Sequence, residues 1–152
     1  MSDITVLDRQ FEFTPVLSTD EYIAGDVLFP TRLIAKSVFL FPGQASGEWK
    51  TLEIINRDNT VADIQVYLMR SEVSIGDAND EASMDDPDEV IAMSHWQTLW
   101  YDCAGHKYSS NAQGDMLCAP EGSKSVWVAA VIHSTQTFSA DALTFRLTFR
   151  FM

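Results

Sequence analysis

Five apolar side chains alternate without a break with four polar ones in the segment Leu143–Phe151. The apolar positions are Leu143, Phe145, Leu147, Phe149 and Phe151, and a Thr or an Arg stands between each pair. Because successive side chains of a β-strand point to opposite faces, this order produces one apolar face and one polar face. A helix would spread the same apolar residues around its circumference. The segment therefore predicts the last strand of a β-sandwich.

Other segments with strand-like patterns are separated by turn residues along the chain. The predicted strands are Phe11–Leu17, Val27–Phe29, Leu33–Phe41, Trp49–Arg57, Val61–Arg70, Trp96–Tyr101, Met116–Cys118 and Ser125–His133. Pro15 places the first of these at a sheet edge, since proline cannot donate to a strand ladder. The last is apolar on both faces, which is typical of a central strand. About eight or nine strands and no long helix predict an all-β fold, an antiparallel sandwich of jelly-roll type.

The turn residues predict how these strands connect. Pro30 is expected to end the strand before it, so that Leu33–Phe41 begins a new, central strand. A hairpin turn at Asp58–Thr60 then makes residues 33–70 a three-stranded meander. Residues 102–115 are polar and contain glycine, and we expect them to form a connection.

Length and composition indicate one domain. The chain has 152 residues, of which 46% are hydrophobic, enough for one core without metals or disulfides. We predict an N-terminal arm or edge strand in residues 1–17, followed by a single sandwich domain in residues 18–152. No apolar run is long enough to cross a bilayer, and Met1–Ile4 does not begin a secretion signal. We therefore expect a cytoplasmic protein, or one assembled from the cytoplasm into something larger.

The charge and the cysteines exclude some classes of partner and site. The formal net charge of −12 repels phosphates and anionic lipids, so we expect neither nucleic acid nor membrane as a partner. Cys103 and Cys118 are too few for a disulfide framework. They could pair if their strands are adjacent, but we expect two small buried thiols in a reducing compartment.

Residues 71–89 form the most acidic stretch of the chain. The stretch contains Glu72, Asp77, Asp80, Glu81, Asp85, Asp86, Asp88 and Glu89, without Lys or Arg. It predicts a long solvated loop, with a helical turn in Asp86–Met93 where acidic residues favour the helix dipole. Asp77, Asp80 and Asp85 are candidate ligands for a hard cation, although the spacing is not that of an EF-hand.

Motifs for catalysis are missing from the sequence. His95, His106 and His133 form no metal-binding pair, and Cys103, His106 and Cys118 match no zinc spacing. Neither a nucleophile elbow nor a phosphate-binding glycine loop occurs. We therefore expect no enzymatic activity and no cofactor.

Tryptophans leave a second class of function open. Aromatic faces stack on sugars, so exposure of two of Trp49, Trp96, Trp100 and Trp127 on one concave face would favour a carbohydrate-binding module, and Trp96 and Trp100 are the candidates for a test. Trp127 lies inside an apolar strand, and strand packing is the simpler use for all of these rings.

One segment resembles a known family. Glu21-Tyr-Ile-Ala-Gly-Asp-Val27 is similar to the Tyr-x-Ala-Gly-Asp-Val segment of small tailed-phage virion proteins, the head decoration or capsid cement proteins. As in that family, an apolar strand, a glycine-containing turn and a further strand pair follow it. The acidic loop departs from the family by its length and charge. Within the segment, Tyr22, Gly25 and Asp26 are expected to set a turn.

The resemblance implies a jelly-roll protein without catalytic residues. It implies a subunit, expected to be a trimer, that binds the major capsid protein on the capsid exterior after assembly in the host cytoplasm. The alternative within phage structure is a tail, baseplate or fibre-adaptor component. Candidate partner contacts are Phe11, Phe13 and Tyr22, and the arm of residues 1–17 could add a strand to a neighbouring subunit.

Overall fold

The computed structural model of the protein describes residues 7–36, 46–118 and 125–151. Within these residues the chain forms nine strands and one short 3₁₀ helix, Pro87–Glu89, which precedes the fifth strand. The strands are β1 (Leu7–Phe13), β2 (Val27–Lys36), β3 (Ser46–Asn56), β4 (Ile64–Met69), β5 (Val90–Met93), β6 (Tyr101–Cys103), β7 (His106–Cys118), β8 (Ser125–Ile132) and β9 (Leu143–Phe151). The predicted all-β class is confirmed.

The strands form two antiparallel sheets. The five-stranded sheet has the order β1-β9-β3-β7-β6, and the four-stranded sheet has the order β2-β8-β4-β5. The pairs are nested: β1 pairs with β9, β2 with β8, β3 with β7, and β4 with β5. A long antiparallel hairpin rolled into two facing sheets produces this nesting, which is the jelly-roll arrangement. The short strand β6 extends one sheet at its edge.

The core lies between the two sheets, and β9 supplies much of it. Leu143, Phe145, Leu147 and Phe149 are fully buried, so the alternation in the sequence does mark the inner face of a strand. Phe145 contacts Phe29 of the other sheet with ring centroids 5.2 Å apart. This contact packs an aromatic side chain of each sheet against the other.

Strand β8 is buried on both faces, as its apolar sequence predicts. Its inward residues join the main core, while Ala129 and Val131 on the outer face are also buried. The cover over them is the acidic segment 71–89, whose Val73 and Ile75 are 8% and 2% exposed. The prediction of a solvated loop is therefore wrong for the backbone and the apolar side chains of this segment. Val73, Ile75, Ala129 and Val131 belong to a second hydrophobic cluster, which the acidic composition of the segment did not predict.

Backbone hydrogen bonds fix the acidic segment to the start of β2. Val27 donates its N–H to the carbonyl of Asp80 at 2.8 Å, and Asn79 donates to the carbonyl of Val27 at 2.8 Å. Ala82 donates to the carbonyl of Gly25 at 3.0 Å. These bonds pair the loop with an edge strand, which satisfies backbone groups that would otherwise face water.

Three predictions about strand connections are wrong. Pro30 does not end a strand, because β2 runs through it with an irregular register as the edge of its sheet, where a missing N–H is tolerated. Because β2 is the edge strand of its sheet, it is not central. Residues 33–70 are not a meander, since β3 lies in the other sheet from β2 and β4. The turn at residues 58–60 therefore carries the chain between sheets, held by a hydrogen bond of 2.8 Å from Asn56 Nδ2 to the carbonyl of Thr60. Residues 37–41 of the predicted strand lie outside the described residues.

Further corrections concern the region from residue 86 to 118. The helical turn predicted in Asp86–Met93 is present as the 3₁₀ helix Pro87–Glu89, but the rest of that range, Val90–Met93, forms strand β5. Most of the predicted connection 102–115 belongs to the long strand β7. Cys103 is exposed, which corrects the expectation of a buried thiol. It pairs with His106 at the start of β7, while Cys118 ends that strand about 40 Å away at 3.4 Å per residue. The two cysteines of one chain therefore cannot form a disulfide.

The docking of the acidic segment is testable with Ile75→Ala. The variant removes a buried side chain from the second cluster, so we expect a loss of about 2 kcal/mol in the free energy of unfolding, at the low end for such truncations because a loop can settle. We also expect faster cleavage at Glu72 and Glu81 by a Glu-specific protease. Asp80→Ala, at an exposed side chain of the same segment, is the matched control. Equal cleavage rates for both variants and the parent protein would contradict the docking.

Candidate functional site

The segment that resembles phage proteins forms a tight turn. Tyr22 is fully buried, and its hydroxyl donates to the carbonyl of Leu28 at 3.1 Å and accepts from the N–H of Ser18 at 2.9 Å. Gly25 has φ of +99°, and Asp26 Oδ2 accepts from the N–H of Ile23 at 2.8 Å. The expected turn is therefore present, and the ring of Tyr22 is not on the protomer surface.

Phe11 and Phe13 also point into the molecule. Phe13 stacks on Phe145 at 5.3 Å between ring centroids, and Phe11 meets Phe149 edge to face at 5.8 Å. Both rings are half-buried, and the guanidinium of Arg32 lies 4.6 Å from the centroid of Phe13. They close the edge of the sandwich under β1, which pairs with β9 of its own chain. Residues 1–6 of the predicted arm lie outside the described residues.

The candidate cation ligands do not come together. The side chains of Asp77, Asp80 and Asp85 are exposed along the acidic segment. Among the described residues, no group of three or more His, Cys, Asp or Glu side chains could hold a metal ion. The exposed His106 contacts the carbonyl of Arg57 at 3.4 Å.

The four tryptophans, all of which the structure describes, have different environments. Trp49 is fully buried, with Nε1 donating to the carbonyl of Thr51 at 3.1 Å. Trp100 packs against the main core and donates to the carbonyl of Ala62 at 2.7 Å. Trp127 packs against the second cluster. Trp96, at 51%, is the one that is more than half exposed. The two sugar candidates, Trp96 and Trp100, therefore do not share an exposed face.

Trp96 stacks on His133, the residue that follows β8. The two rings are 3.7 Å apart between centroids and 5° from parallel. His133 Nε2 lies 3.0 Å from Gln65 Oε1, which also accepts a hydrogen bond of 3.1 Å from the hydroxyl of Tyr67. Gln65 Nε2 donates to the carbonyl of Ser94 at 3.1 Å. We call the four side chains Trp96, His133, Gln65 and Tyr67 the Trp96 platform.

Hydrogen bonds determine which atoms of this platform donate and which accept. The carbonyl oxygen of Gln65 can only accept, so His133 must carry its proton on Nε2, and its Nδ1 remains an acceptor. Burial lowers the pKa of His133, and the nearby carboxylate of Asp63 opposes that change. Burial also raises the pKa of Tyr67. Both rings are therefore neutral at pH 7.

A cavity adjoins the platform on the same sheet face. Its volume is about 220 Å³, and it opens beneath the acidic segment. The lining residues are Tyr67, Ile75, Ala82, Ser83, Met84 and Val131. Tyr67 thus belongs to both the platform and the wall of this mainly apolar cavity.

A second surface feature lies where the chain passes from β5 to β6. Val61, Leu99 and Tyr101 are large apolar residues, each between 56% and 58% exposed. Leu99 and Tyr101 flank Trp100, whose indole donates a hydrogen bond to the carbonyl of Ala62, the residue after Val61. This bond brings the two chain segments together, and we call Val61, Leu99 and Tyr101 the apolar edge.

Sequence reasoning did not identify the platform. Trp127, Ala129, Val131 and His133 alternate along one face of β8, a signal that could have placed His133 beside Val131. Nothing local places Trp96 against His133, because they are far apart in sequence and meet only through the pairing of β4 with β8 and the path of the chain after β5.

Comparisons with known proteins give no family. No protein-family model matches the chain, and no curated protein matches it. Among solved structures, a chain in the structure of infectious bursal disease virus, Gt strain, is 12% identical over 97% of this chain and 42% of that chain, with a TM-score of 0.17. This protein thus spans less than half the length of that chain, and a TM-score of this size carries no argument about fold or function.

Over the ranges that the structure describes, the protein has no helix long and apolar enough to cross a membrane.

The turn at Gly25 can be tested by Gly25→Ala. No atom lies within 4 Å of the added Cβ, so any cost comes from the positive φ alone. We expect a loss of about 1 kcal/mol or slightly more in the free energy of unfolding, measured by urea denaturation. Ala24→Ser, at an exposed neighbouring position, should change it by less than about 0.5 kcal/mol. A Gly25→Ala variant as stable as the parent would show that the turn does not need this conformation.

The environment of His133 predicts a pH dependence. Because its pKa in the folded state is below the ordinary 6.5, the unfolded chain binds more protons as the pH falls below that value. The free energy of unfolding should therefore fall as the pH is lowered below about 6.5. His133→Gln should lose less stability over the same pH series, as measured by urea denaturation. Parallel curves for the two proteins would contradict the assignment.

Proposed function

We propose that the chain is a non-enzymatic virion protein that decorates the exterior of a bacteriophage capsid and stabilises the junctions between capsomers. The observation that carries the proposal is the apolar edge. Large apolar side chains exposed in one region of the surface commonly mark sites that bind other proteins. A decoration subunit needs such a surface in the protomer before it meets its partner.

The apolar edge is held firmly by its surroundings. Trp100 anchors the segment between its two exposed neighbours by a hydrogen bond of 2.7 Å to the 58–63 turn region. Three residues before Trp100, Gln97 donates its backbone N–H to the carbonyl of Ile64 at 2.7 Å. Its side-chain oxygen accepts from Asn111 Nδ2 in the other sheet. A surface already ordered in the free protein loses little entropy when a partner binds.

Charge and resemblance support the same proposal. A net charge of −12 keeps a protein soluble at high local density and away from nucleic acid. The Glu21–Val27 segment, which resembles decoration proteins, forms a turn that leads into β2 and is anchored by the buried side chain of Tyr22. We further propose that the subunit acts as a trimer on a local three-fold axis and contacts the major capsid protein.

The test uses purified protein and undecorated capsids of the virus that carries the gene. Co-sedimentation should show saturable binding, and scanning calorimetry should show a higher capsid melting temperature. The double variant Leu99→Ser/Tyr101→Ser should bind about tenfold more weakly or worse, because it removes apolar contacts at the centre of the interface. Val16→Ser is the control, since Val16 is 83% exposed but lies outside the apolar edge.

Two results would overturn the proposal. Absence of binding to capsids would remove the decoration function. Binding that is weakened equally by Val16→Ser and by the double variant would remove the apolar edge as its contact. Circular dichroism and thermal melting of each variant establish that the protein remains folded.

A further inference from the structure

We propose that the Trp96 platform is a carbohydrate-binding site that takes the ring of a neutral sugar. The sugar would stack its C–H face on the open face of Trp96 and donate a hydroxyl hydrogen bond to the Tyr67 oxygen. This inference does not depend on capsid binding, because the platform and the apolar edge use different side chains.

The first step is the geometry of Trp96. His133 lies parallel to the indole at 3.7 Å and therefore covers one face of it. The side chain is nevertheless 51% exposed, so the face opposite His133 is the one open to solvent. An open indole face offers a flat apolar surface with a negative quadrupole, to which polarised C–H groups of a sugar ring are attracted.

The second step is rigidity. The backbone of His133 is tied to the sheet through its N–H, which donates to the carbonyl of Asp63 at 2.7 Å. Its ring is held at the other end by Gln65 at 3.0 Å. Trp96 is thus stacked on a side chain that is itself fixed, so binding would not have to order the aromatic surface.

The third step is the set of hydrogen-bonding atoms left over. Gln65 Oε1 already accepts from His133 and Tyr67, and those two bonds use the donor proton of each ring. What remains free on the two rings is acceptor capacity: Nδ1 of His133 and a lone pair on the hydroxyl of Tyr67. Because the indole of Trp96 lies between His133 and the open indole face, the acceptor left for a sugar on that face is the hydroxyl of Tyr67. A sugar hydroxyl supplies the matching donor.

The negative net charge of the chain favours neutral sugars over other ligands that have flat faces. Nucleotides also stack on tryptophan, but their phosphates would meet a chain with a net charge of −12. A neutral, hydroxyl-rich ring meets no such repulsion. The site therefore favours uncharged sugars over nucleotides and over acidic sugars.

The neighbouring cavity suggests a ligand larger than one ring. Val131, which lines the cavity, is two residues before His133 on the same face of the sheet, about 7 Å away. That distance is comparable to the length of one sugar unit. A second unit, or an apolar substituent such as an acetamido methyl, would enter the cavity beside Tyr67.

The experiment is an array of neutral and acidic mono- to tetrasaccharides, followed by titration of the full chain with the best neutral binder. Nuclear magnetic resonance of the indole N–H groups should show the largest shift for Trp96. Trp96→Ala should weaken binding at least about tenfold, and Trp96→Phe should weaken it less because a smaller ring remains. Tyr67→Phe should also weaken binding, as one acceptor is lost. Leu99→Ala, on the apolar edge, should leave it unchanged.

Several outcomes would overturn the inference. These are no array signal above background, preferential binding of charged glycans, or binding that persists in Trp96→Ala. If Trp96→Ala does not fold, the Trp96→Phe and Tyr67→Phe variants decide the question by the same titration. Capsid binding by the Trp96 variants should match that of the parent protein, which separates this site from the proposed decoration surface.

Discussion

Burial of the apolar face of β9 is the constraint on which the rest of the structure depends. The strand lies between β1 and β3 in one sheet and packs through Phe145 on Phe29 of the other. Each buried aromatic side chain contributes roughly 2–3 kcal/mol from burial of its surface. The stacked rings of Phe13 and Phe145 extend that contact to the sandwich edge. With the two sheets held together in this way, turns and edges can carry side chains at fixed positions.

Packing of the acidic segment on the four-stranded sheet determines where the candidate sugar site lies. The acidic segment covers the outer face of the four-stranded sheet over Ala129 and Val131, but it does not reach His133. At that position Trp96 covers the sheet by stacking on His133. The platform and the cavity therefore lie at the boundary between the covered and open parts of one sheet face. Such a boundary combines apolar surface with polar groups that still reach water, as small-ligand sites require.

The two outer faces of the sandwich differ in character. On the five-stranded sheet, Asp8 pairs with Arg150 at 2.9 Å and with Lys50 at 3.0 Å. Hydrogen bonds from Arg150 and then Lys50 lower the pKa of Asp8 to about 2. Arg146 lies between Glu12 and Glu53 in a second cross-strand group. Charges of both signs cancel across this face, whereas the platform on the opposite sheet is neutral and aromatic. Exposed pairs of this kind contribute little to stability.

The sequence by itself determined which segments form strands such as β8 and β9 and which of their side chains face the core. Alternation in Leu143–Phe151 and apolarity on both sides of Ser125–His133 identified an inner face and a central strand, because side-chain direction follows directly from strand geometry. Tertiary structure decided the rest. Pro30 is tolerated only because β2 is an edge, and the turn after Asn56 leads to another sheet because β3 pairs with β7 and β9. Hydrogen bonds between strands far apart in the chain leave no local pattern, and for that reason the meeting of Trp96 with His133 belongs to the fold and not to the sequence.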